Sequence, residues 1–182
     1  MIRLVTITPD NWRLGLSVRE DQYDYVSDSS GILARAYAYR DNRSQDFVIY
    51  DDNVPVGMAM YHDLDDWKAY DFSQFFIDHR YQRKGYGLKA AEMILEKMKA
   101  DGKYDRVVLC YINGDEAAKN LYENLVFIIQ VRQMRMRSSW KKIYGFFSVV
   151  IWFSGRMIKE INCLVPQPAV TSFSYVWELI CW

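Results

Sequence analysis

Cysteine is scarce in this chain: Cys110, Cys163 and Cys181 are the only three among 182 residues. An odd, thinly spread set excludes a disulfide-stapled scaffold and a cysteine-rich zinc site, and it suits a reducing, cytoplasmic setting. Net charge is absent as well, because 23 basic side chains meet 23 acidic ones. Without a surplus of Lys and Arg the chain lacks the footprint of a general nucleic-acid binder, since affinity for a phosphate backbone is built from basic contacts. The opening MIRLVTITPDNW has no apolar run followed by a cleavage site, so no secretory signal is expected. The apolar stretch Ile143–Phe153 is 11 residues long, short of the roughly 20 that span a bilayer. Flanked by Lys141, Lys142 and Arg156, it can at most lie on a surface. No residue pattern points to a metal or a flavin. What remains, 51% hydrophobic and 25% charged, is the make-up of a globular chain, not a disordered one.

The neutrality is the sum of two unlike parts. Residues 1–125 hold 16 Lys and Arg against 21 Asp and Glu, net −5, whereas residues 126–182 hold 7 against 2, net +5. Those last 57 residues contain four of the six Trp, two of the three Cys and no Asp. Composition therefore divides the chain into an acidic body, 1–125, and a basic, aromatic tail, 126–182.

Along the body, residues 2–7 alternate apolar and polar, a short strand closed by Pro9. Asp10 or Asn11 can cap a following helix with Trp12, Leu14, Leu16 and Val18 on its apolar side. After the Asp28–Gly31 turn, Ile32–Tyr37 reads as a second helix. A meander follows: strand Phe47–Tyr50, polar turn Asp51–Asn53, strand Val56–Tyr61, polar break Asp63–Lys68, strand Phe72–Asp78. Tyr86–Ala100 repeats Leu88, Ala91, Ile94, Leu95 and Met98 at helical spacing and ends at Gly102. Val107–Tyr111 is a buried strand, and Asp115–Asn124 a helix with Ala117, Ala118, Leu121 and Leu125 inward. The order β-α-α-β-β-β-α-β-α is a single mixed α/β domain without a repeat or a linker.

Between the strand Phe72–Asp78 and the long helix lies Gln82-Arg83-Lys84-Gly85-Tyr86-Gly87. Two glycines before a helix let backbone N–H groups converge on an anion where the helix dipole assists, and Arg83 and Lys84 add charge suited to a pyrophosphate or a 3′-phosphate. The loop is neither a nucleotide-triphosphate P-loop nor a dinucleotide fingerprint. The stretch FFIDHRYQRKGYGLKAAEMIL resembles the acetyl-CoA-binding motif of the GNAT N-acetyltransferases, Q/R-x-x-G-x-G/A after a strand, with Gln82, Gly85 and Gly87 in place. Further on, AAKNLYENL is similar to the family's A-x-x-L-Y-x-x-x-G-F signature, with Tyr122 as its tyrosine. The resemblance covers roughly residues 2–125. Within the family, VGMAMYHDLDDW, FSQFFIDHRYQRKGYG and VREDQYDYV look most like the spermine/spermidine N-acetyltransferases.

That resemblance implies a GNAT-like mixed sheet flanked by helices. It also implies acetyl-CoA as co-substrate, with its pyrophosphate on the amides of Arg83–Gly87 and its pantetheine beside Phe76 and Ile77, pairing like an extra strand. A primary amine, preferably of a polyamine, would attack the thioester directly, and Tyr122 would protonate the departing thiolate as general acid. A polycation needs carboxylates: Asp63, Asp65 and Asp66 beside Trp67 form an acidic, aromatic-edged loop, with Glu20 and Asp21 as weaker candidates. Acceptors such as a protein N-terminus or an aminoglycoside are the alternatives. Where the polyamine enzymes carry an acid on the strand before the loop this chain has Ser73 and Gln74, which leaves the proton-accepting base unidentified. Asn113 or Asp115 stands near the family's asparagine and could cap the last helix or touch pantetheine. Many relatives are homodimers, a state open to this chain too.

The family's L-Y-x-x-x-G-F is broken here. The chain reads Leu121-Tyr122-Glu123-Asn124-Leu125-Val126-Phe127, with Val for Gly at the same residue as the charge break. Joining the last base of each codon to the first two of the next lets Leu125–Phe127 read Gly-Phe and Gln130–Tyr144 read GEADENEIVMEKDL. That is an acidic turn and an alternating strand, as the family would continue. One missing base near codon 125 would account for both observations. Val126–Trp182 would then be out-of-frame translation, the closing strands of the fold lost or replaced, and the product impaired in catalysis while retaining CoA binding. A partner-binding extension is the competing reading of the tail.

Overall fold

The structure, a computed structural model, describes residues 1–112, 114–125 and 146–152. In chain order its elements are β1 (Ile2–Thr6), α1 (Ser29–Ala38), β2 (Gln45–Asp51), β3 (Val54–Leu64), β4 (Ala69–Ile77), α2 (Tyr86–Asp101), β5 (Arg106–Ile112), α3 (Glu116–Leu125) and β6 (Phe146–Trp152). They form one six-stranded sheet whose spatial order follows the sequence, β1 to β6. Every neighbouring pair is antiparallel except β4 and β5, which run parallel because α2 carries the chain back across the sheet. This is the mixed α/β arrangement the sequence implies.

Strand periodicity sorts the core into two layers. On one face Phe47, Ile49, Ala59, Tyr61, Tyr70 and Phe72 pack under Ala90, Ala91, Ile94 and Met98 of α2, with Leu121 and Tyr122 of α3 at the edge of the same cluster. On the other face Val48, Met58, Met60 and Phe76 pack against Ile32 and Ala36 of α1 and against Leu16 and Val18. The helical face expected for the last helix holds at Ala118 and Leu121, but Ala117 is exposed.

The first expected helix does not form. Residues 10–18 run as irregular chain, and a single 3₁₀ turn, Glu20–Gln22, takes its place in the order. Asn11 is occupied in a turn instead of a cap: its carboxamide oxygen accepts from the Thr8 amide at 2.7 Å and its nitrogen donates to the Thr6 carbonyl at 3.1 Å. Gly15 is left-handed, φ +60°, a conformation that interrupts a helix. Leu16 and Val18 are both buried, the two-residue period of an extended segment. The backbone here bonds to the end of β4, where the Ser17 amide donates to the Asp78 carboxylate at 2.9 Å and His79 N–H to the Ser17 carbonyl at 3.0 Å.

Beyond β5 the sheet edge is filled by Phe146–Trp152, antiparallel to the whole of Arg106–Ile112. The closing position is thus occupied by a segment read above as a surface stretch, because an open strand edge pairs readily with any extended, apolar neighbour. Val126, Asn113 and the rest of the tail lie outside the described residues. No helix among the described residues is long and apolar enough to cross a membrane.

Gly57 on β3 faces Ile77 across the ladder, and a Cβ there would be driven into the carbonyl oxygen of Phe76. Gly57→Ala should therefore cost about 1–3 kcal/mol of stability, the usual range for overpacking. It is expected to lower the thermal midpoint by several degrees in a melt followed by circular dichroism.

Candidate active site

Only two residue pairs, Tyr70 with Val107 and Asp71 with Val108, join β4 to β5. From Phe72 and Leu109 onward the two parallel strands have no ladder partners in each other, so a cleft opens toward their C-terminal ends, the place where α/β sheets receive ligands. A bulge accompanies the divergence. Between Met60 and His62 of β3 the facing positions on β4 are Gln74 and Asp71, one residue more on β4 than on β3.

At the mouth of the cleft the chain leaves β4 through Asp78 and a 3₁₀ turn, His79–Tyr81, and enters the loop Gln82–Gly87 before α2. Arg83 and Gly85 both have positive φ, +61° and +80°, which turns successive N–H groups to one side. Gly85 is the N-cap of α2 and offers no side-chain cap, so the N–H groups of the first turn are without that partner. Arg83, Lys84 and Gly85 are exposed. A Cβ at Gly87 would meet Ile77, Phe75 and Leu121 at 3.6–3.9 Å, which fixes the helix start against β4 and α3 together. Tyr86 donates its hydroxyl to Asp51 at 2.8 Å and so ties the loop to the β2–β3 hairpin. Gln82 donates its amide to the Ile77 carbonyl at 2.9 Å and to Gln22 Oε1 at 2.8 Å. The cradle suits an anion on chemical grounds: oriented amides, a helix dipole and two cations.

Ile77 and Phe76 end β4 on opposite faces, Ile77 with α2 and Phe76 with α1. Tyr122 on α3 is 6% exposed, its ring 5.8 Å from that of Tyr111 on β5. The structure thus brings Ile77, the start of α2 and, through Leu121, the helix bearing Tyr122 together at the end of β4, while Phe76 faces the α1 layer. Asp115 accepts from the Ala118 amide at 2.9 Å and caps α3, while Asn113 lies outside the described residues.

The acidic loop is elsewhere. Asp63–Trp67 sits at the N-terminal end of β4, and the nine residues Ala69–Ile77 separate it from the phosphate loop, roughly 26 Å of strand. Asp63 is 2% exposed and accepts from Arg43 at 3.2 Å and Lys103 at 2.6 Å. Asp65 takes Lys103 at 2.9 Å and the Tyr104 hydroxyl, bonds that hold its carboxyl below the usual range. Two of the three expected carboxylates are therefore already paired. Asp66 is exposed and Trp67 half-buried. Glu20, also exposed, stands on the turn that Gln22 ties to Gln82, near the opposite end of β4.

Sequence reading missed a buried polar cluster at the apex of the cleft. Asp71, 3% exposed, and His62, 1% exposed, place Oδ2 and Nε2 3.6 Å apart, and Arg35 of α1 approaches Asp71 to 4.0 Å. Arg35 also donates to the Ser73 hydroxyl at 2.5 Å, and the Tyr39 ring meets His62 edge-on at 4.0 Å. Asp71 Oδ2 and both ring nitrogens of His62 lack a hydrogen-bond partner among the described residues. Burial pushes Asp71 up to about 7 against the pull of Arg35, and burial, then Arg35, push His62 down to about 4. The available signal was a lone acid inside the apolar run Ala69–Ile77. Beside α1, a cavity of about 570 Å³ opens between Trp12–Val18 and Tyr23–Leu33, another feature that a helical reading of residues 10–18 concealed.

The two shifts act oppositely on stability. His62 is protonated below 6.5 when unfolded but only below about 4 when folded, so stability rises with pH in between. Asp71 loses its proton near 3.8 unfolded and near 7 folded, so its contribution is full below 3.8 and is lost as pH rises to 7. The slopes oppose each other from about 4 to 6.5. Urea unfolding across pH should show stability falling from pH 4 to 7 in His62→Gln and rising from 4 to 6.5 in Asp71→Asn.

A sequence model described as the acetyltransferase (GNAT) family matches residues 8–127. No curated protein sequence matches the chain. Among solved structures, it is similar to a spermidine N-acetyltransferase from Vibrio cholerae in complex with CoA and spermine. The TM-score is 0.62 at 15% identity, over 84% of this chain and 96% of that one. The ribosomal-protein-S18-alanine N-acetyltransferase of Escherichia coli gives 0.61 at 13% identity, over 88% and 99%. An aminoglycoside acetyltransferase, AAC(6')-Ib, in complex with coenzyme A gives 0.63 at 11% identity, over 84% and 95%. At such identities the likeness is one of fold.

Proposed function

The chain belongs to the acetyltransferase (GNAT) family, whose members move an acetyl group from acetyl-CoA, and on that premise we propose that the acceptor is a primary amine of a polyamine. The observation that carries the reading is the cleft. Strands β4 and β5 part beyond their second residue pair, an uncapped helix start with positive-φ Arg83 and Gly85 stands at the mouth, and Asp71 lies at the apex. The pyrophosphate of acetyl-CoA rests on the amides of Arg83–Gly87, and its pantetheine runs beside Phe76 and Ile77. Asp71 takes a proton from the ammonium, and its proton affinity near neutrality suits that task. The amine lone pair attacks the thioester carbon, the C–S bond breaks, and the Tyr122 hydroxyl protonates the departing thiolate, its phenolate regaining a proton from the acetylated nitrogen. The products are the acetamide and free CoA. Support for a polyamine is the sequence resemblance and the net −5 of residues 1–125. Because Asp63 and Asp65 are engaged by Lys103 and Arg43, the expected set leaves Asp66 and Trp67 at one end of β4 or Glu20 near the other for the rest of the polycation.

We further infer that residues 1–125 are the catalytic domain and that Val126–Trp182 is out-of-frame translation. The argument is the charge break, the Val at the family's Gly position, and the shifted frame that restores a family-like ending. Resequencing the gene is decisive: a missing base near codon 125 is expected, and an intact frame with no such alternative overturns the idea.

Thiol release from acetyl-CoA with spermidine, measured on this chain and on a frame-restored version, tests the activity. Turnover is expected in the restored form and reduced or absent in the chain with its tail. Inertness of the restored form toward every polyamine, with turnover of another amine, would move the acceptor to a protein N-terminus or an aminoglycoside. In the active form Tyr122→Phe should lower kcat by about 10²-fold or more with CoA affinity little changed. Unchanged turnover removes Tyr122 as the acid. Asp71→Asn should lower kcat while raising stability at pH 8, since it removes a buried charge.

A further inference from the structure

The segment from Trp12 to Arg19, one wall of the 570 Å³ cavity beside α1, belongs to no helix or strand. Its place is set by a few bonds, three of which reach the residues that follow β4, while the adjoining turn is bonded to Gln82. On the strand side, Asp78 follows β4 directly and is fully buried. Its carboxylate accepts from the Ser17 amide at 2.9 Å and from Arg80 at 2.7 and 2.9 Å. His79 N–H returns a bond to the Ser17 carbonyl at 3.0 Å, and Arg80 reaches the Gly15 carbonyl at 3.4 Å. Burial alone would raise the Asp78 carboxyl, but these donors hold it down at about 2, so the clasp stays ionised across ordinary pH. On the helix side, Gln82 donates one amide bond to the Ile77 carbonyl at 2.9 Å and another to Gln22 at 2.8 Å. Gln22 in turn ends the 3₁₀ turn Glu20–Gln22 and receives Val26 N–H on its carbonyl at 3.3 Å, which leads to the opposite wall of the cavity. Ser29, on that opposite wall, donates its hydroxyl to the Leu16 carbonyl at 2.8 Å.

We propose that Gln22, acting through Gln82, is a positioning residue that couples the cofactor loop to the walls of the Trp12–Leu33 cavity, so that occupancy of the loop orders the cavity. The inference rests on the reading of Gln82–Gly87 as the CoA cradle and adds to it a second, dependent surface. The physical reason is the asymmetry of the attachments. Gln82 is bonded at once to a strand end that the sheet holds and to a turn whose other hydrogen bonds among the described residues are local. Closing the loop on an anion therefore moves or stiffens the turn. The cavity volume lies in the range of small-ligand sites. Its lining mixes apolar Leu16, Val26 and Leu33 with serines and the opposite charges of Arg13 and Asp28, and Trp12 and Tyr23 are exposed.

The test reads backbone order directly and needs neither turnover nor knowledge of the amine. Amide hydrogen exchange of the full chain is followed by peptide mass spectrometry with and without saturating CoA. In the unsubstituted protein, CoA should slow exchange in peptides covering 82–88 and, by about five-fold or more, in peptides covering 12–30. In Gln22→Ala the 82–88 response should persist while the 12–30 response disappears. Gln22→Glu, which keeps an acceptor for the Gln82 amide, should bring it back. Equal slowing of 12–30 in Gln22→Ala overturns the proposal, as does protection of 82–88 without any response of 12–30 in the unsubstituted chain. Absence of protection at 82–88 in the unsubstituted chain overturns the cofactor reading itself, and the coupling with it.

Discussion

Two parallel pairs, Tyr70 with Val107 and Asp71 with Val108, are all that joins β4 to β5, and the shortness of that ladder shapes the rest of the molecule. Backbone N–H and C=O groups are obligatory hydrogen-bonding groups, and on the β5 side of Phe72–Ile77 no strand among the described residues supplies their partners. The gap is kept open from several directions. The bulge opposite Met60–His62 turns β4 away, the Gly57–Phe76 contact fixes β4 against β3, and Gly87 seats the start of α2 against Ile77 and Leu121. Such a gap suits, on the reading proposed above, an extended ligand with an anionic end at the first turn of α2.

Charge is distributed along β4 in a way that separates structural from chemical groups. At its N-terminal end Asp63, Asp65, Asp101, Arg43, Lys103 and Tyr104 satisfy one another. A paired, hydrogen-bonded cluster of this kind staples the β3–β4 hairpin to the chain after α2. At its C-terminal end Asp78 is likewise paired, with Arg80 and the Ser17 amide. Between them Asp71 and His62 are buried without completed hydrogen bonds. A folded chain rarely keeps such groups, because each unsatisfied buried polar atom costs about 1–3 kcal/mol. Their position at the apex, beside Arg35 and Ser73, is the place where an acid–base group would be of use.

The strand Phe146–Trp152 illustrates how little sequence specificity an open sheet edge demands. Arg106–Ile112 offers a row of backbone donors and acceptors, and a short run of β-branched and aromatic residues pairs with it along its full length. A tail of foreign composition can therefore complete the outline of the sheet.

Much of the fold was legible one residue at a time, because its signals are local. Alternation marked β1, a meander between polar turns marked β2 to β4, a buried apolar run marked β5, the spacing of Leu88, Ala91, Ile94 and Met98 marked α2, and Gly85 and Gly102 bracketed that helix with the left-handed conformations they adopt. The cradle before α2 was legible for the same reason. The first helix was misread from its capping residues Asp10 and Asn11, whereas Leu14, Leu16 and Val18 stand at the two-residue spacing of an extended chain, which Asp78, 61 residues away, holds through the Ser17 amide. Likewise the acids at 63–66 read as free carboxylates, and only the fold brings Lys103 and Arg43 to them. Asp71 and His62 are unremarkable in the chain and become a cluster only when β3 pairs with β4 under α1. Periodicity, turn chemistry and motif spacing thus determined most of the elements, the loop before α2 and the family from the sequence alone. Which charges are neutralised, which buried groups are left short of hydrogen bonds, and where the cleft opens were decided by tertiary structure, because those properties depend on neighbours that are distant along the chain.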